Sequence, residues 1–321
     1  FGFWAGWYDI FLVGNLAAYE GYNYEAQDSA KHRSVITIDP CGHCQDAAPY
    51  FTEDIVAGRT ALALMQAYDT FGARPVTRTN IKNVTFYVMS SNDEAGREAG
   101  QFWTTVEEFP KPTMTKFYFH SDGSVSQTAP TEQDSATSFK FDPLNPQPTN
   151  GGNNLFSDTH CGPLDQAEID AREDVILFQT PVLTEELVLT GPINGYLQVS
   201  SDALDTDIMV RLSDVYPAGE ARLIQDSAVR MRWRENTIDP VFMTPGSVYP
   251  AYISLWNTSY VVAPGHALRF AVSSSNYPRF SVNYNNGVLL ADAASPGDPV
   301  VATNSIHHSA VYPSYFELPV V

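Results

Sequence analysis

Asp9 closes the run Gly6-Trp7-Tyr8-Asp9, and His43 closes Asp39-Pro40-Cys41-Gly42-His43. A carboxylate that orients an imidazole gives a general base able to take a proton from a hydroxyl and return it to a leaving group. Each residue falls where a β-rich run ends, with a helix-like segment between them. In triads built on strand ends of this kind the chain order is nucleophile, acid, base. A serine nucleophile would therefore stand before Asp9, yet eight residues precede it, and no Gly-x-Ser-x-Gly occurs in the sequence. The plainer alternative makes Asp9 a helix cap and His43 a turn residue.

The elements that would position this pair occupy residues 1–78. Asp9 reads as the N-cap of a helix running through Leu12, Leu16, Ala17 and Tyr19. Arg33 to Asp39 is β-rich and stops at Pro40. Thr52, Glu53 and Asp54 open a second helix through Leu62, Leu64, Met65 and Tyr68, ending near Gly72. Strand, helix, strand, helix predicts a parallel sheet.

From about residue 80 the pattern becomes short β-rich runs between turn signals, over 79–321. Strands are expected at Asn83–Met89, Thr115–His120, Ser138–Phe141, Val175–Gln179, Tyr196–Ser200, Asp207–Val215, Val229–Arg234, Tyr252–Leu255, Leu268–Ser273 and Ser281–Tyr284. In Asp207–Val215 the alternation puts Ile208, Val210 and Leu212 on one face and Met209, Arg211 and Ser213 on the other. Many strands without helices between them predict a sandwich or jelly roll. The Pro143–Asp165 stretch is too rich in Gly, Pro and Asn for regular structure, so it is read as a functional loop or one packed over a neighbour.

With 321 residues, 44% hydrophobic and 17% charged, the chain can bury two cores, and no apolar run is long enough to cross a bilayer. A formal net charge of -19 disfavours nucleic acid and anionic membrane surfaces as partners. Phe1 enters directly into a strand-like run without Met or signal peptide, so a fragment or processed product is expected. Asn83 and Asn257 head N-glycosylation sequons, which together with the acidity favour a secreted or extracellular protein.

Cys41 and Cys44 form a Cys-x-x-Cys that either closes a local disulfide or leaves two thiols stiffening the loop of His43; Cys161 stays unpaired or pairs with Cys44 or with an upstream cysteine. Dithiol redox chemistry is disfavoured, because no thioredoxin-sized framework surrounds the motif. Arg230, Arg232 and Arg234 share a strand face and are expected to pair with Asp202, Asp205, Asp207 or Asp214. His266 and His307-His308 lack a second cluster at ligand spacing, so no metal and no organic cofactor are expected.

The chain resembles the family of cocaine esterase, X-Pro dipeptidyl peptidase and α-amino acid ester hydrolase. The resemblance runs from Gly6-Trp7-Tyr8-Asp9 and the Pro40–His43 turn through Trp103, Phe109-Pro110, Ser121-Asp122-Gly123, Gly151-Gly152-Asn153 and Gly162-Pro163-Leu164-Asp165. It continues through Arg172-Glu173-Asp174, Ser200–Asp207, Leu212–Pro217, Arg230–Arg234, Pro264–Arg269 and Ser273–Pro278. It implies the C-terminal piece of an α/β-hydrolase domain over 1–78, followed by a jelly-roll β-sandwich over 79–321. It further implies a serine hydrolase of ester or amide bonds with Asp9 as orienting acid, His43 as general base and Phe11 lining the acyl pocket. The Ser would come from an N-terminal hydrolase and cap segment, the substrate would be a small ester or amide, and homo-oligomers are open. The chain alone would be inactive. Relatives tend to carry Trp where Cys41 stands. The competing expectation is a non-catalytic jelly roll for assembly or carbohydrate binding, with Asp9 and His43 as relics.

Overall fold

Two sheets face one another across a core of stacked phenylalanines. The computed structural model describes residues 1–27, 31–32, 34–43, 82–155, 161–289 and 297–321. Among these residues the larger sheet has eleven strands. Its spine runs β1 (Gly2–Tyr8), β2 (Val35–Gly42), β3 (Val84–Ser90), β12 (Tyr249–Val262), β9 (Leu187–Ser201), β15 (Tyr315–Val320), β5 (Thr113–Phe119) and β6 (Val125–Ser126). Strand β4 (Phe102–Val106) pairs with β3, while β14 (Ala302–His307) joins β9 to β7 (Ala136–Phe141). The four-stranded sheet has the order β11 (Ala221–Arg230), β10 (Asp207–Val215), β13 (Ala267–Ser273) and β8 (Ile176–Gln179).

Phe119 of β5 stacks on Phe178 of β8 at 4.1 Å, and Phe316 of β15 on Phe270 of β13 at 4.7 Å, so the rings bridge the two sheets. All four are buried, and truncating any one would cost about 3–5 kcal/mol. Gly195 of β9 sits directly over this core, where an added Cβ would lie 2.5 Å from the Phe316 ring. The opposite face of the large sheet carries a cross-strand row, Tyr118, Tyr315, Tyr196 and Tyr252, with neighbouring centroids 5.2, 5.1 and 5.5 Å apart.

Strands β1 and β2 are parallel, and β3 extends them in parallel on the other side of β2. β3 then pairs in parallel with β12 through Tyr260–Met89 and Val261–Ser90. The parallel strands and the sandwich are thus one continuous sheet.

Several sequence expectations change at this level. The helix α1 (Leu12–Glu20) is capped by Phe11; the Asp9 carboxylate instead accepts the Phe11 N–H at 2.9 Å. The run Val229–Arg234 is not all strand: β11 ends at Arg230 and Met231–Trp233 form a 3-10 turn, so the three arginines share no strand face. Ser281–Tyr284 is irregular backbone rather than strand. Both faces of β10 are buried, because Arg211 on its polar face meets Asp170 of the short helix α2 (Ala167–Asp170) at 2.9 Å. The helix expected from Thr52 to Gly72 lies outside the described residues, as does Cys44.

The ionic expectations are more local. Arg230 grips Asp207 with two bonds of 2.8 Å, and Arg232 reaches Asp205 at 2.6 Å, with Asn283 donating to both carboxylates. Arg234 instead caps the carbonyls of Met231 and Val241. His266 is fully buried between Asp214 and Asp93, each 2.8 Å away. His308 bonds Ser135 and Thr137, and His307 bonds Ser200. Asn83 lies half-buried just before β3, while Asn257 is half-buried within β12 with Thr258 and Ser259 fully buried beside it.

Candidate active site

Parallel neighbours end on the same side of a sheet, so residues that follow them meet without a long connection. Asp9 follows β1 and His43 follows β2. The register pairs Gly6 with Asp39 and Tyr8 with Gly42, skipping Trp7, so a bulge turns the two strand ends toward each other. Only glycine fits at both approaches: an added Cβ at Gly6 would lie 2.0 Å from the Cys41 carbonyl oxygen, and one at Gly42 2.1 Å from Cys161 Sγ.

His43 Nδ1 faces both Asp9 oxygens, at 3.2 Å to Oδ1 and 3.1 Å to Oδ2. With Nδ1 carrying the proton donated to Asp9, Nε2 is left as the acceptor nitrogen. The Asp9 side chain is 14% exposed and that of His43 40%, so the carboxylate is shielded while the imidazole opens outward. Phe11 stands edge-on to the imidazole with centroids 4.8 Å apart, and it is half exposed. The structure thus brings Asp9, His43 and Phe11 together at one place.

The strand ends are held from below. Asp39, buried within β2, accepts Trp4 Nε1 and the Cys41 N–H, both at 2.9 Å. The Tyr8 hydroxyl donates to the Leu223 carbonyl of β11 at 2.8 Å. The Trp7 carbonyl, passed over by the β1–β2 register, accepts Gln225 Nε2 at 2.8 Å and Asn153 Nδ2 at 3.1 Å. In the sequence Asn153 stands out only within a motif of the resemblance and Gln225 not at all, because their targets are backbone carbonyls, which leave no signature in side-chain patterns. The double glycine before Asn153 was the one readable sign of a built loop.

Among the described residues no group of three or more His, Cys, Asp or Glu side chains is arranged to hold a metal ion. No helix among them is long and apolar enough to cross a membrane.

Taken together, the fold is a β-sandwich extended by parallel strands that deliver an acid and an imidazole to one sheet edge. A family model described as the X-Pro dipeptidyl-peptidase C-terminal non-catalytic domain matches residues 79–317. The chain belongs to that family, as the C-terminal portion of a protein of the cocaine esterase and X-Pro dipeptidyl peptidase group. It is 30% identical to cocaine esterase of Rhodococcus sp. (strain MB1 Bresler) over 338 residues, covering 99% of this chain and 55% of that protein. Among solved structures it is similar to an α-amino acid ester hydrolase, with TM-score 0.82 and 24% identity over 98% of this chain and 54% of the other. An aminopeptidase from a marine sediment archaeon, Thaumarchaeota archaeon, matches with TM-score 0.80 and 20% identity, over 98% of this chain and 54% of the other. The chain therefore spans about half the length of the relatives it matches. Asp9 and His43 both precede the segment that the non-catalytic family model covers.

Proposed function

We propose that this chain supplies the acid and the base of a serine hydrolase whose nucleophile stands on an N-terminal segment of the same, longer protein. In this reading residues 1–78 are the C-terminal part of an α/β-hydrolase domain and 79–321 its β-sandwich. The observation that carries it is the contact of His43 Nδ1 with the Asp9 carboxylate at the ends of adjacent parallel strands. Asp9 fixes the tautomer and stabilises the imidazolium; His43 Nε2 takes the proton of the serine hydroxyl as its oxygen bonds the carbonyl carbon of an ester or amide. The same proton then passes to the departing alcohol or amine as the C–O or C–N bond breaks. Water, deprotonated by His43, releases the acid from the acyl-enzyme. The names of the relatives favour esters as the substrate class, with Phe11 bordering the acyl group.

The rival reading, a sugar-binding or assembly module with a relic pair, would rest on the tyrosine row. Its rings lean on each other: Tyr196 and Tyr315 stack at 25°, and Lys116 covers Tyr315 at 4.5 Å. The faces of Tyr315 are occupied in this way and are not free to stack on a sugar, while Tyr252 is 54% exposed.

The test is fluorophosphonate labelling with hydrolysis of a p-nitrophenyl ester. The complete gene product is expected to label at one serine upstream of this chain, and H43A to lose both labelling and turnover. Residues 1–321 alone are expected not to label; stoichiometric labelling at a serine within them would overturn the proposal.

A further inference from the structure

Gly151-Gly152-Asn153 belongs to the β-sandwich side of the molecule, yet it ends against the backbone that carries Asp9. Gly151 and Gly152 have φ of 77° and 78°, a region that favours glycine. Gly152 exchanges backbone hydrogen bonds of 2.9 and 3.1 Å with Gly162. A Cβ on Gly152 would lie 2.6 Å from Asp226 Oδ1, and one on Gly151 2.6 Å from the Gly162 carbonyl oxygen. Asp226 is itself buried in β11 and held by Asn276 and Arg279. The turn is therefore anchored in the sandwich.

From this anchor Asn153, 2% exposed, directs Nδ2 at the Trp7 carbonyl at 3.1 Å and the Asp9 carbonyl at 3.5 Å. Both partners are acceptors, so only the amide NH2 end can face them, which settles the orientation of the side chain. These carbonyls flank the bulge that aims Asp9 at His43. Trp7 has no place in the β1–β2 register, so the sandwich supplies the donors to its carbonyl, while the Asp9 carbonyl also accepts the Leu12 N–H at 3.1 Å.

We infer that Asn153 is a positioning residue for Asp9, acting through the backbone of the acid's own loop, and that the β-sandwich thereby sets the geometry of the catalytic pair. The inference rests on the proposed roles of Asp9 and His43.

The experiment uses the complete gene product and compares wild type, N153A, N153S, D9N and H43A in ester hydrolysis. N153A is expected to lower kcat by about 10–100-fold with KM within about twofold, the mark of a misaligned catalytic group. N153S, which keeps a donor, is expected to fall between N153A and wild type. The strongly deshielded proton on His43 Nδ1 is expected to weaken by NMR in the same order. If N153A fails to fold, N153S and its proton signal decide. Unchanged kcat and an unchanged proton in folded N153A or N153S, with D9N and H43A inactive, would overturn the inference alone. Full activity of D9N and H43A would overturn the reading of the site on which it depends.

Discussion

At the scale of single residues, two histidines among the described residues meet aspartates in opposite ways. His43 meets Asp9 at an open edge through Nδ1, with its side chain 40% exposed. His266 is sealed, with Nδ1 on Asp214, Nε2 on Asp93, and the Tyr260 hydroxyl donating to the second Asp214 oxygen at 2.9 Å. Burial works against the His266 charge, but the two carboxylates outweigh it and hold its pKa above the ordinary value of about 6.5. Burial also pushes the Asp214 carboxyl up, so its ionised form depends on His266 and Tyr260. Asp93 is drawn below the usual carboxylate range despite partial burial, by the Gly96 N–H, Ser91 and His266. A raised folded pKa contributes stability in full below the unfolded value and loses it as pH rises through the folded value. Stability from His266 is therefore expected to fall as pH climbs from about 6.5, and that from Asp93 to fall in acid, below the usual carboxylate range. Urea midpoints across pH should show the alkaline decline in wild type and not in H266A. At neutral pH H266A should lose about 3–5 kcal/mol, since it strands a buried carboxylate. For the proposed active pair, D9N is expected to keep the fold and lower kcat by about 10⁴. Of these residues, Asp9 and His43 stood out in the sequence because each closes a β-rich run. Asn153 stood there only within a motif of the resemblance and His266 only as a lone histidine, because their partners are backbone carbonyls or carboxylates 52 and 173 positions away.

At the scale of elements, two glycines decide how strands meet. In G42A the new methyl would meet Cys161 Sγ, forcing the β2 end and His43 outward. A cost of about 1–3 kcal/mol is expected, with kcat reduced as well. C161A in the same chain should restore part of both, which a double-mutant cycle on melting temperature and turnover would register. The strand runs themselves were largely readable: Asp207–Val215 and Leu268–Ser273 reappear as β10 and β13. What periodicity could not show is that both faces of β10 are covered, since an arginine reads as exposed until its buried partner Asp170 is known. Val229–Arg234 misled for a related reason. Alternation continues past Arg230, but Arg232 lies in a tight turn where its backbone N–H donates to Asp205 Oδ1 at 2.8 Å.

At the scale of the whole molecule, the boundary suggested by composition near residue 79 separates two textures of sequence but falls inside one sheet. β3 has β2 on one side and β4 and β12 on the other. A chain restricted to residues 82–321 would leave the β2-facing edge of β3 unpaired, a ready template for aggregation. Its melting temperature is expected to drop and its binding of an apolar dye to rise relative to residues 1–321. Equal stability and no dye binding would show that the sandwich is self-sufficient.

The Trp7 indole of β1 donates to the Tyr87 carbonyl of β3 at 2.7 Å, and the Tyr8 hydroxyl ties β1 to β11. Such a seam does not swing. A hinge placed here would have to unzip a parallel ladder and strand buried acceptors in a single movement, so in the proposed hydrolase substrate entry and product exit are expected to fall to motions elsewhere, with the acid–base corner riding as a fixed floor.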